Sequence, residues 1–202
     1  MTARDEILDR IRTAGAGVQP PLVDRDYEHE GTLAPGSTDV IDLFADQVDE
    51  YRAYVHRGDD VPAMVRAALA NASSVIVPPG LDSTWVADAS VDDGSFGARD
   101  LDRIDAVVTA ATVACARTGT IVLDGSPDQG RRILSLVPDR HVCVVRTDQV
   151  VETVPEMMAR LEPTRPLTFI SGPSATSDIE LERIEGVHGP RNLHVVLAPP
   201  AH

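Results

Sequence analysis

The sequence predicts a protein of the α/β class, in which helices cover a mainly parallel β-sheet. Predicted strands read as short unbroken apolar runs separated by predicted helices, which is typical of a parallel sheet buried on both faces. Aromatic residues make up only 3% of the 202 residues, so Val, Leu, Ile and Ala must fill the core. Hydrophobic side chains make up 43% of the chain, which suffices for one substantial core and favours one main domain.

Residues 1–36 are expected to form a helix and a mobile connection ahead of the α/β domain at 37–202. Apolar residues recur on one face of a helix over 3–14, and Thr2 followed by Asp5 resembles a capping box. The segment after this helix is rich in Gly, Pro and charge, and it lacks apolar periodicity. The first helix is therefore expected to dock on a partner subunit or on another copy of the chain.

Apolar periodicity and capping residues define the elements that follow. Helical spacing continues behind Ser37 as far as Val55, and Asp60 begins a second helix that runs through Asn71. Residues 88–102 are polar and are expected to form a loop or a short helix. The remaining predicted elements are strands over 74–80, 106–109, 119–123, 141–146, 167–172 and 193–198, a compact turn after 109, and helices over 130–137, 149–161 and 177–184.

The charge, the composition and the motifs of the sequence disfavour several classes of partner and of catalytic chemistry. The net charge of -14 and the absence of a basic run disfavour nucleic acid and membrane surfaces. The chain contains no lysine, which excludes Schiff-base catalysis and the lysine of a phosphate-binding P-loop. It also contains no GxSxG or HExxH motif, which disfavours the corresponding hydrolases.

The two cysteines and the N-terminal segment bear on cofactors and location. Cys115 and Cys143 lie in apolar stretches without CxxC spacing, so we expect buried thiols and no metal site. Two cysteines are too few for a four-thiolate iron–sulfur cluster, and we expect the chain itself to bind no cofactor. The N-terminus is charged where a signal peptide would be apolar, and no apolar run is long enough to span a membrane. We therefore expect a cytoplasmic protein.

Four polar loops fall at the boundaries of predicted strands, over 118–120, 125–132, 171–178 and 186–191. Ligands of open α/β sheets lie beyond the carboxyl ends of the strands, where loops present polar groups to anions. We therefore expect these loops to line one cleft at the carboxyl edge of the sheet. The alternative is that they open at opposite edges and serve as separate turns and helix caps.

The expected ligand-binding residues come from all four loops. Hydroxyl groups and close backbone approach suit a small carboxylate or phosphate, whereas the competing interpretation of each group is a turn or a helix cap. Arg132 could hold a carboxylate or neutralise Asp128 or Asp139, and Arg132 or Arg117 is expected at the rim. The expected ligand-binding residues are Thr118, Gly119, Thr120, Arg132, Gly172, Ser174, Thr176 and Arg191.

His188 and Asp178 are the expected catalytic groups. Histidine exchanges a proton near neutral pH, and His188 lies in a glycine-rich loop. The alternative is a structural histidine that bonds a nearby carbonyl. His141 and His194 begin apolar strands and are interpreted as histidines at the edge of the core.

Four segments in the second half resemble the lactate-utilization (LUD) domain family, and specifically its lactate utilization protein C branch. They are ARTGTIVL (116–123), GRRILSLVPDRHVCVV (130–145), GPSATSDIE (172–180) and GVHGPRNLHVVLA (186–198). The resemblance implies a three-layer α/β/α sandwich similar to the sugar-phosphate isomerase, glucosamine-phosphate deaminase and CoA-transferase group. Two positions depart from the family pattern: Arg117 stands where the family often has an acidic residue, and Ala175 where it often has arginine.

The resemblance implies a subunit of an L-lactate oxidation (lactate to pyruvate) system, with iron–sulfur clusters on partner subunits and a small hydroxy or keto acid as ligand. Two alternatives remain open. One is a free-standing enzyme on a small anionic metabolite, of the sugar-phosphate isomerase or acyl-transferase type, and the other is a non-catalytic interaction module. Whether the chain is itself an enzyme, as a component of an L-lactate dehydrogenase complex, and whether it forms a homo-oligomer also stay open.

Overall fold

The computed structural model describes residues 2–19, 21–24, 26–176, 184–185 and 189–200. The helices are α1 (Ala3–Gly15), α2 (Thr38–Glu50), α3 (Val61–Leu69), α4 (Ala98–Leu101) and α5 (Val154–Ala159). The strands are β1 (Tyr54–Arg57), β2 (Val75–Val77), β3 (Ser90–Val91), β4 (Ala106–Ala110), β5 (Val113–Cys115), β6 (Thr120–Leu123), β7 (Arg140–Arg146), β8 (Val150–Val151), β9 (Thr168–Ile170), β10 (Ala175–Thr176), β11 (Ile184–Glu185) and β12 (Asn192–Ala198). Within these residues, no helix combines the length and the apolar character that crossing a membrane requires.

A six-stranded parallel sheet forms the centre of the fold, with the strand order β1-β12-β7-β4-β2-β3. Its middle strands β4, β7 and β12 are apolar almost throughout, because both faces of the sheet are covered. One face packs on α3, with Val142, Val144 and Val196 turned toward that helix. The other face carries Val145 and Val195 and packs on α2. The predicted α/β class with a mainly parallel sheet flanked by helices is confirmed.

A second sheet, of four strands in the order β8-β5-β6-β9, lies on the α2 side of the first. The β5–β6 hairpin is antiparallel, and so is the pairing of β6 with β9. Ile121 and Leu123 of β6 face the main core, whereas Val122 packs with Met157 of α5. A separate second sheet was not predicted: β6 and β9 were predicted as strands of the parallel sheet, and β5 and β8 lie in segments that read as a turn and as the start of a helix.

Four predicted elements are wrong in extent or type, and one of them is the helix predicted over 130–137, which is a 3-10 helix over 132–135. The helix predicted to reach Val55 ends at Glu50, since Arg52 takes a positive φ and Val55 pairs with Val195 in the sheet. The predicted turn after residue 109 contains β5. Residues 149–161 begin with β8, and their helix starts only after Thr153, whose side chain caps it. The helix predicted over 177–184 lies largely outside the described residues.

The N-terminal helix α1 contributes no buried residue, and its predicted capping box of Thr2 and Asp5 is present. The connection contacts the domain near its end, where Gly31, Thr32 and Leu33 donate backbone hydrogen bonds to Glu156 and Glu152. The boundary at residue 36 stays a prediction.

Candidate functional site

A cleft of about 280 Å³ lies beside the amino ends of β7 and β12, and we call it the amino-edge cleft. Its polar lining comes from the 3-10 helix over 132–135, from β9 and the chain after it, from the chain before β12 and from His141 of β7. The backbone N–H of Ser174 donates to the carbonyl of Pro190 at 2.8 Å, which joins the chain after β9 to the chain before β12. The residues most relevant to ligand binding are Arg132, His141, Ser171, Gly172, Ser174 and Gly189.

Three hydroxyl groups form a hydrogen-bonded row behind this cleft. The Oγ1 atoms of Thr118 and Thr120 lie 2.8 Å apart, and Thr120 Oγ1 lies 2.8 Å from Ser171 Oγ. Ser171 lines the cleft, whereas neither threonine does. Thr120 therefore contacts the cleft-lining hydroxyl group of Ser171 directly, and Thr118 is linked to it through Thr120.

Two glycines allow the loops around this row to pack against the end of α2. Gly119 has a φ of +56°, and a Cβ there would lie 3.1 Å from the carbonyl carbon of Gln47. Gly172 has a φ of +81°, and a Cβ there would lie 2.7 Å from the Cβ of Tyr51. Both positions therefore require glycine for conformation and for space, which explains them without any direct role in ligand binding.

The two predicted arginines occupy different parts of this edge. Arg132 lines the amino-edge cleft, and its Nη1 donates to Thr168 Oγ1 at 2.7 Å. Arg191 lines a wider adjoining groove of about 1140 Å³, where its guanidinium bonds Asp139 at 2.6 and 3.0 Å. Arg132 also lines that groove. It is therefore Arg132 that brings positive charge to the smaller cleft.

His141 is a fully buried residue in the wall of the amino-edge cleft. Its Nε2 lies 2.8 Å from Thr109 Oγ1. Burial lowers the pKa of His141 to about 4, so the imidazole is neutral at physiological pH. The sequence analysis interpreted His141 as a histidine at the edge of the core, and this agrees with its burial. It did not predict that His141 lies beside a cleft.

The structure brings Arg132, Gly172 and Ser174 together in the cleft and places Thr118, Gly119 and Thr120 directly behind it. Asp178, His188 and the Thr176 side chain lie outside the described residues, so their roles stay predictions. Arg117 does not line the cleft and instead bonds Glu152.

The cleft lies at the amino edge of the parallel sheet, so the predicted location at its carboxyl edge is wrong. Gly119 and Gly172 pack against Gln47 and Tyr51, just before the chain enters the amino end of β1. The prediction assumed that all the strands belong to one parallel sheet. In fact β6 and β9 belong to the second sheet and run antiparallel to each other, so their neighbouring loops do not follow that rule.

Among the described residues of the four predicted loops, 126–129 are the ones that line a cleft at the carboxyl edge of the parallel sheet. Gly80, Asp128 and Arg146 line a cleft there, which sequence reasoning did not identify as a site. Asp128 follows Gly125, Ser126 and Pro127, a pattern that any exposed turn could show. No signal in the sequence distinguishes this carboxylate from an ordinary turn residue.

Both cysteines are buried, as predicted. Burial raises the pKa of Cys143 to about 12, so its thiol stays protonated. Among the described residues, no three His, Cys, Asp or Glu side chains are grouped so that they could hold a metal ion. The absence of a cofactor on this chain stays an expectation.

Known proteins resemble this chain over nearly its whole length. The LUD domain matches residues 3–198. Lactate utilization protein C of Deinococcus radiodurans is 44% identical, over 96% of this chain and 95% of that protein. The Bacillus subtilis protein of the same name is 30% identical over 52% of this chain and 46% of its own length.

A solved structure agrees with the fold described above. The crystal structure of a DUF162 family protein from Deinococcus radiodurans has a TM-score of 0.70 and 40% identity to this chain. The similarity covers 82% of this chain and 99% of the other. Family match, full-length relative and solved structure agree, and the chain belongs to the LUD domain family.

Proposed function

We propose that this protein is a subunit of a system that oxidises L-lactate to pyruvate, and that it binds a small hydroxy or keto acid in the amino-edge cleft. The observation that carries the proposal is the 44% identity, over nearly the full length of both chains, to a protein named lactate utilization protein C. Identity at this level over a whole domain preserves the fold and favours a shared cellular role. The comparison with a named relative is an argument by analogy. The residues that line the cleft supply the chemical argument for binding a small acid.

The amino-edge cleft suits a small acid in size and in chemistry. Its volume of about 280 Å³ is close to the lower end of the range for ligand pockets. Arg132 can pair with a carboxylate by two parallel hydrogen bonds. Ser171 offers a hydroxyl group that Thr120 contacts, and the neutral imidazole of His141 lies in the same wall. A 2-hydroxy or 2-keto acid presents a carboxylate and one further oxygen, and these groups match that lining.

Oxidation of lactate to pyruvate releases two electrons, which need an acceptor. Cys115 and Cys143 are buried in the core and are too few to hold an iron–sulfur cluster of the four-thiolate type. We therefore place the clusters on partner subunits, and we assign this chain to the binding of the acid or to contact with the cluster-bearing chains.

The cellular test is deletion of the gene, combined with purification of the protein from its native cell. We expect slow growth on L-lactate with normal growth on glucose, and co-purification of cysteine-rich proteins that contain iron. A chromosomal Arg132→Ala variant should reproduce the growth defect, whereas Arg66→Ala, an exposed arginine on α3, should not. Normal growth of the deletion strain on L-lactate, without iron proteins in the purified material, would contradict the proposal.

The ligand test is thermal unfolding of the pure protein with added L-lactate or pyruvate. A ligand at 100 times its dissociation constant stabilises the fold by about 2.7 kcal/mol. We expect Arg132→Ala to weaken this stabilisation and Arg66→Ala to leave it unchanged. Equal stabilisation of both variants would exclude Arg132 from the binding site.

A further inference from the structure

The carboxyl edge of the parallel sheet holds a second cleft, of about 380 Å³, which we call the carboxyl-edge cleft. Gly80 follows β2, Ala111 and Thr112 follow β4, and Arg146 ends β7. The loop that carries Asp128 completes the lining. Open α/β sheets place ligands at this edge, yet none of the groups of the amino-edge cleft reaches it.

Most polar groups of this cleft are bonded to one another. Gln149 accepts from the backbone N–H of Arg146 at 2.9 Å and donates to the carbonyl of Ala111 at 2.7 Å. Gln129 accepts from the backbone N–H of Asp124 at 2.6 Å and donates to Thr112 Oγ1 at 2.8 Å. Both amide side chains are therefore held in place by the ends of the strands and form a rigid wall.

Asp128 is the exception. Its Oδ1 atom is buried and has no hydrogen-bond partner, and within the described part of the chain no other buried side-chain oxygen or nitrogen is in this position. Folded proteins rarely leave such an atom unpaired, because its desolvation is not compensated. Asp128 itself lines the cleft, so a ligand bound there can supply the missing partner once the carboxyl group turns toward it.

The two carboxyl groups of this loop are perturbed in opposite directions. Burial raises the pKa of Asp128, and the neighbouring charge of Asp124 raises it further. Burial also opposes ionisation of Asp124, but hydrogen bonds from Ser126 and the charge of Arg165, 3.0 Å away, outweigh it and lower the pKa of Asp124. Two neighbouring acids with separated pKa values are a common feature of sites that bind or transfer protons.

We propose that the carboxyl-edge cleft is a second ligand site, in which Asp128 and Arg146 together bind a small carboxylate. When Asp128 is protonated, its carboxyl group donates a hydrogen bond to one oxygen of the ligand. The guanidinium of Arg146 supplies the compensating charge. In this structure Arg146 Nε lies 3.2 Å from the exposed Asp148, and such a surface pair is weak enough to rearrange around a ligand.

Binding in this arrangement requires the protonated form of Asp128, so a proton is taken up where Asp128 was ionised, and no covalent bond is broken. The bound carboxylate adds negative charge beside Asp128, so the proton that Asp128 holds becomes harder to remove. The charged or titratable groups that act on Asp128 are Asp124, Arg146, Arg165 and, within β7, the protonated thiol of Cys143. Affinity should therefore fall as the pH rises through the titration of Asp128, with up to one proton bound per ligand.

The test uses acetate as the probe, added to the full chain carrying Arg132→Ala so that the amino-edge cleft is disabled. The Asp128 carboxyl carbon is followed by NMR over a pH series, with and without acetate. We expect acetate to raise the pKa of Asp128, and we expect Arg146→Ala to weaken acetate binding at least tenfold. Arg66→Ala serves as the matched control and should have no effect.

The variant Asp128→Asn removes the titrating carboxyl group but keeps the shape of the side chain. Its amide can still donate to acetate, so we expect binding within about threefold of the parent chain but without the pH dependence. An unchanged pKa of Asp128 on addition of acetate, or an unchanged affinity in Arg146→Ala, would overturn the proposal. Because every variant is tested in the Arg132→Ala background, such a failure would leave the proposed function at the amino edge untouched.

Discussion

The carboxylate of Glu152 accepts hydrogen bonds both from the N-terminal connection and from the domain. Thr32 and Leu33 donate to it from their backbone N–H groups, and Arg117 Nη2 donates at 2.6 Å. The hydrogen bond from Leu33, followed by that from Arg117, lowers the pKa of Glu152 although burial opposes this. The side chain is only 3% exposed, so these donors replace water around the charge. Arg117, one of the two departures from the family pattern, therefore has Glu152 as a structural partner.

Replacing Glu152 by Gln should lower the unfolding midpoint and expose residues 31–36 to proteolysis. The amide turns an NH₂ group toward donors that need an acceptor, and it removes the partner of Arg117. Thermal unfolding and limited proteolysis at neutral pH are the measurements. Glu162→Gln makes the same chemical change in an exposed turn and should leave both results unchanged.

The pH dependence of this variant gives a second measurement. Because the folded-state pKa of Glu152 is lowered, its stabilisation is present above the unfolded-state pKa and is lost as the pH falls through the folded-state value. The difference between Glu152→Gln and the wild-type chain should therefore shrink in acid. A difference that stays constant from neutral pH into acid would show that the carboxylate charge is not the cause.

At the residue scale, the sequence predicted only part of the candidate sites. Arg132, Gly172 and Ser174 were predicted and do line one cleft, because polar residues beside glycine at a strand boundary mark a loop that can face a ligand. His141 could not be found in this way, since a histidine at the start of an apolar strand looks like core. Asp128 could not be found either, because its raised pKa comes from burial by residues that are distant in sequence.

At the scale of elements, α1 differs from every other long helix of the described chain. It has no buried residue and exposes Ile7 and Ile11, whereas α2 buries Val40, Phe44, Ala45 and Val48. An isolated helix of this length is marginal in water, so within this chain α1 depends on its cap and its own hydrogen bonds.

Deletion of residues 2–15 should leave the unfolding midpoint unchanged, because no apolar area against the domain is lost. Deletion of residues 2–35 is the matched comparison, and it should lower the midpoint because Glu152 and Glu156 lose their backbone donors. Circular dichroism during heating measures both. A lower midpoint for the shorter deletion would mean that α1 packs on another copy of the chain.

The sequence predicted the central elements better than the peripheral ones. The strands β4, β7 and β12 were found because buried parallel strands are continuous apolar runs. The strands β1 and β5 were missed because their side chains also fit a helix or a turn. What makes β1 a strand is its pairing with β12, close to the other end of the chain, and a local pattern does not contain that partner.

For the whole molecule, the buried His141 and the half-buried His194 limit stability in acid. Burial lowers the pKa of His141 to about 4, and burial together with the neighbouring His56 and Arg140 lowers the pKa of His194 to about 4. In the unfolded chain both would titrate near pH 6.5. Between these values the unfolded chain binds more protons, so the folded state loses stability as the pH falls.

The free energy of unfolding should therefore be highest above about pH 6.5 and should decrease toward pH 4. A fully buried histidine contributes a slope of about 1.4 kcal/mol per pH unit, whereas the half-exposed His194 contributes less because solvent screens it. Denaturant unfolding at a series of pH values measures the slope. His141→Gln keeps a hydrogen-bonding side chain beside Thr109 and should give a shallower slope, and an unchanged slope would contradict this assignment.

The position of β12 in the sheet has a consequence for how the protein is made. Of the described strands β12 is the last in chain order, yet it lies between β1 and β7 inside the sheet. While the ribosome adds the remaining residues, which takes on the order of ten seconds, β1 has been synthesised but its sheet partner has not. During that time the edge of β1 that β12 later covers is open to pairing with other chains, and the facing edge of β7 is open from the moment β7 has been made. Nascent chains are therefore the stage at which this protein most needs protection from aggregation.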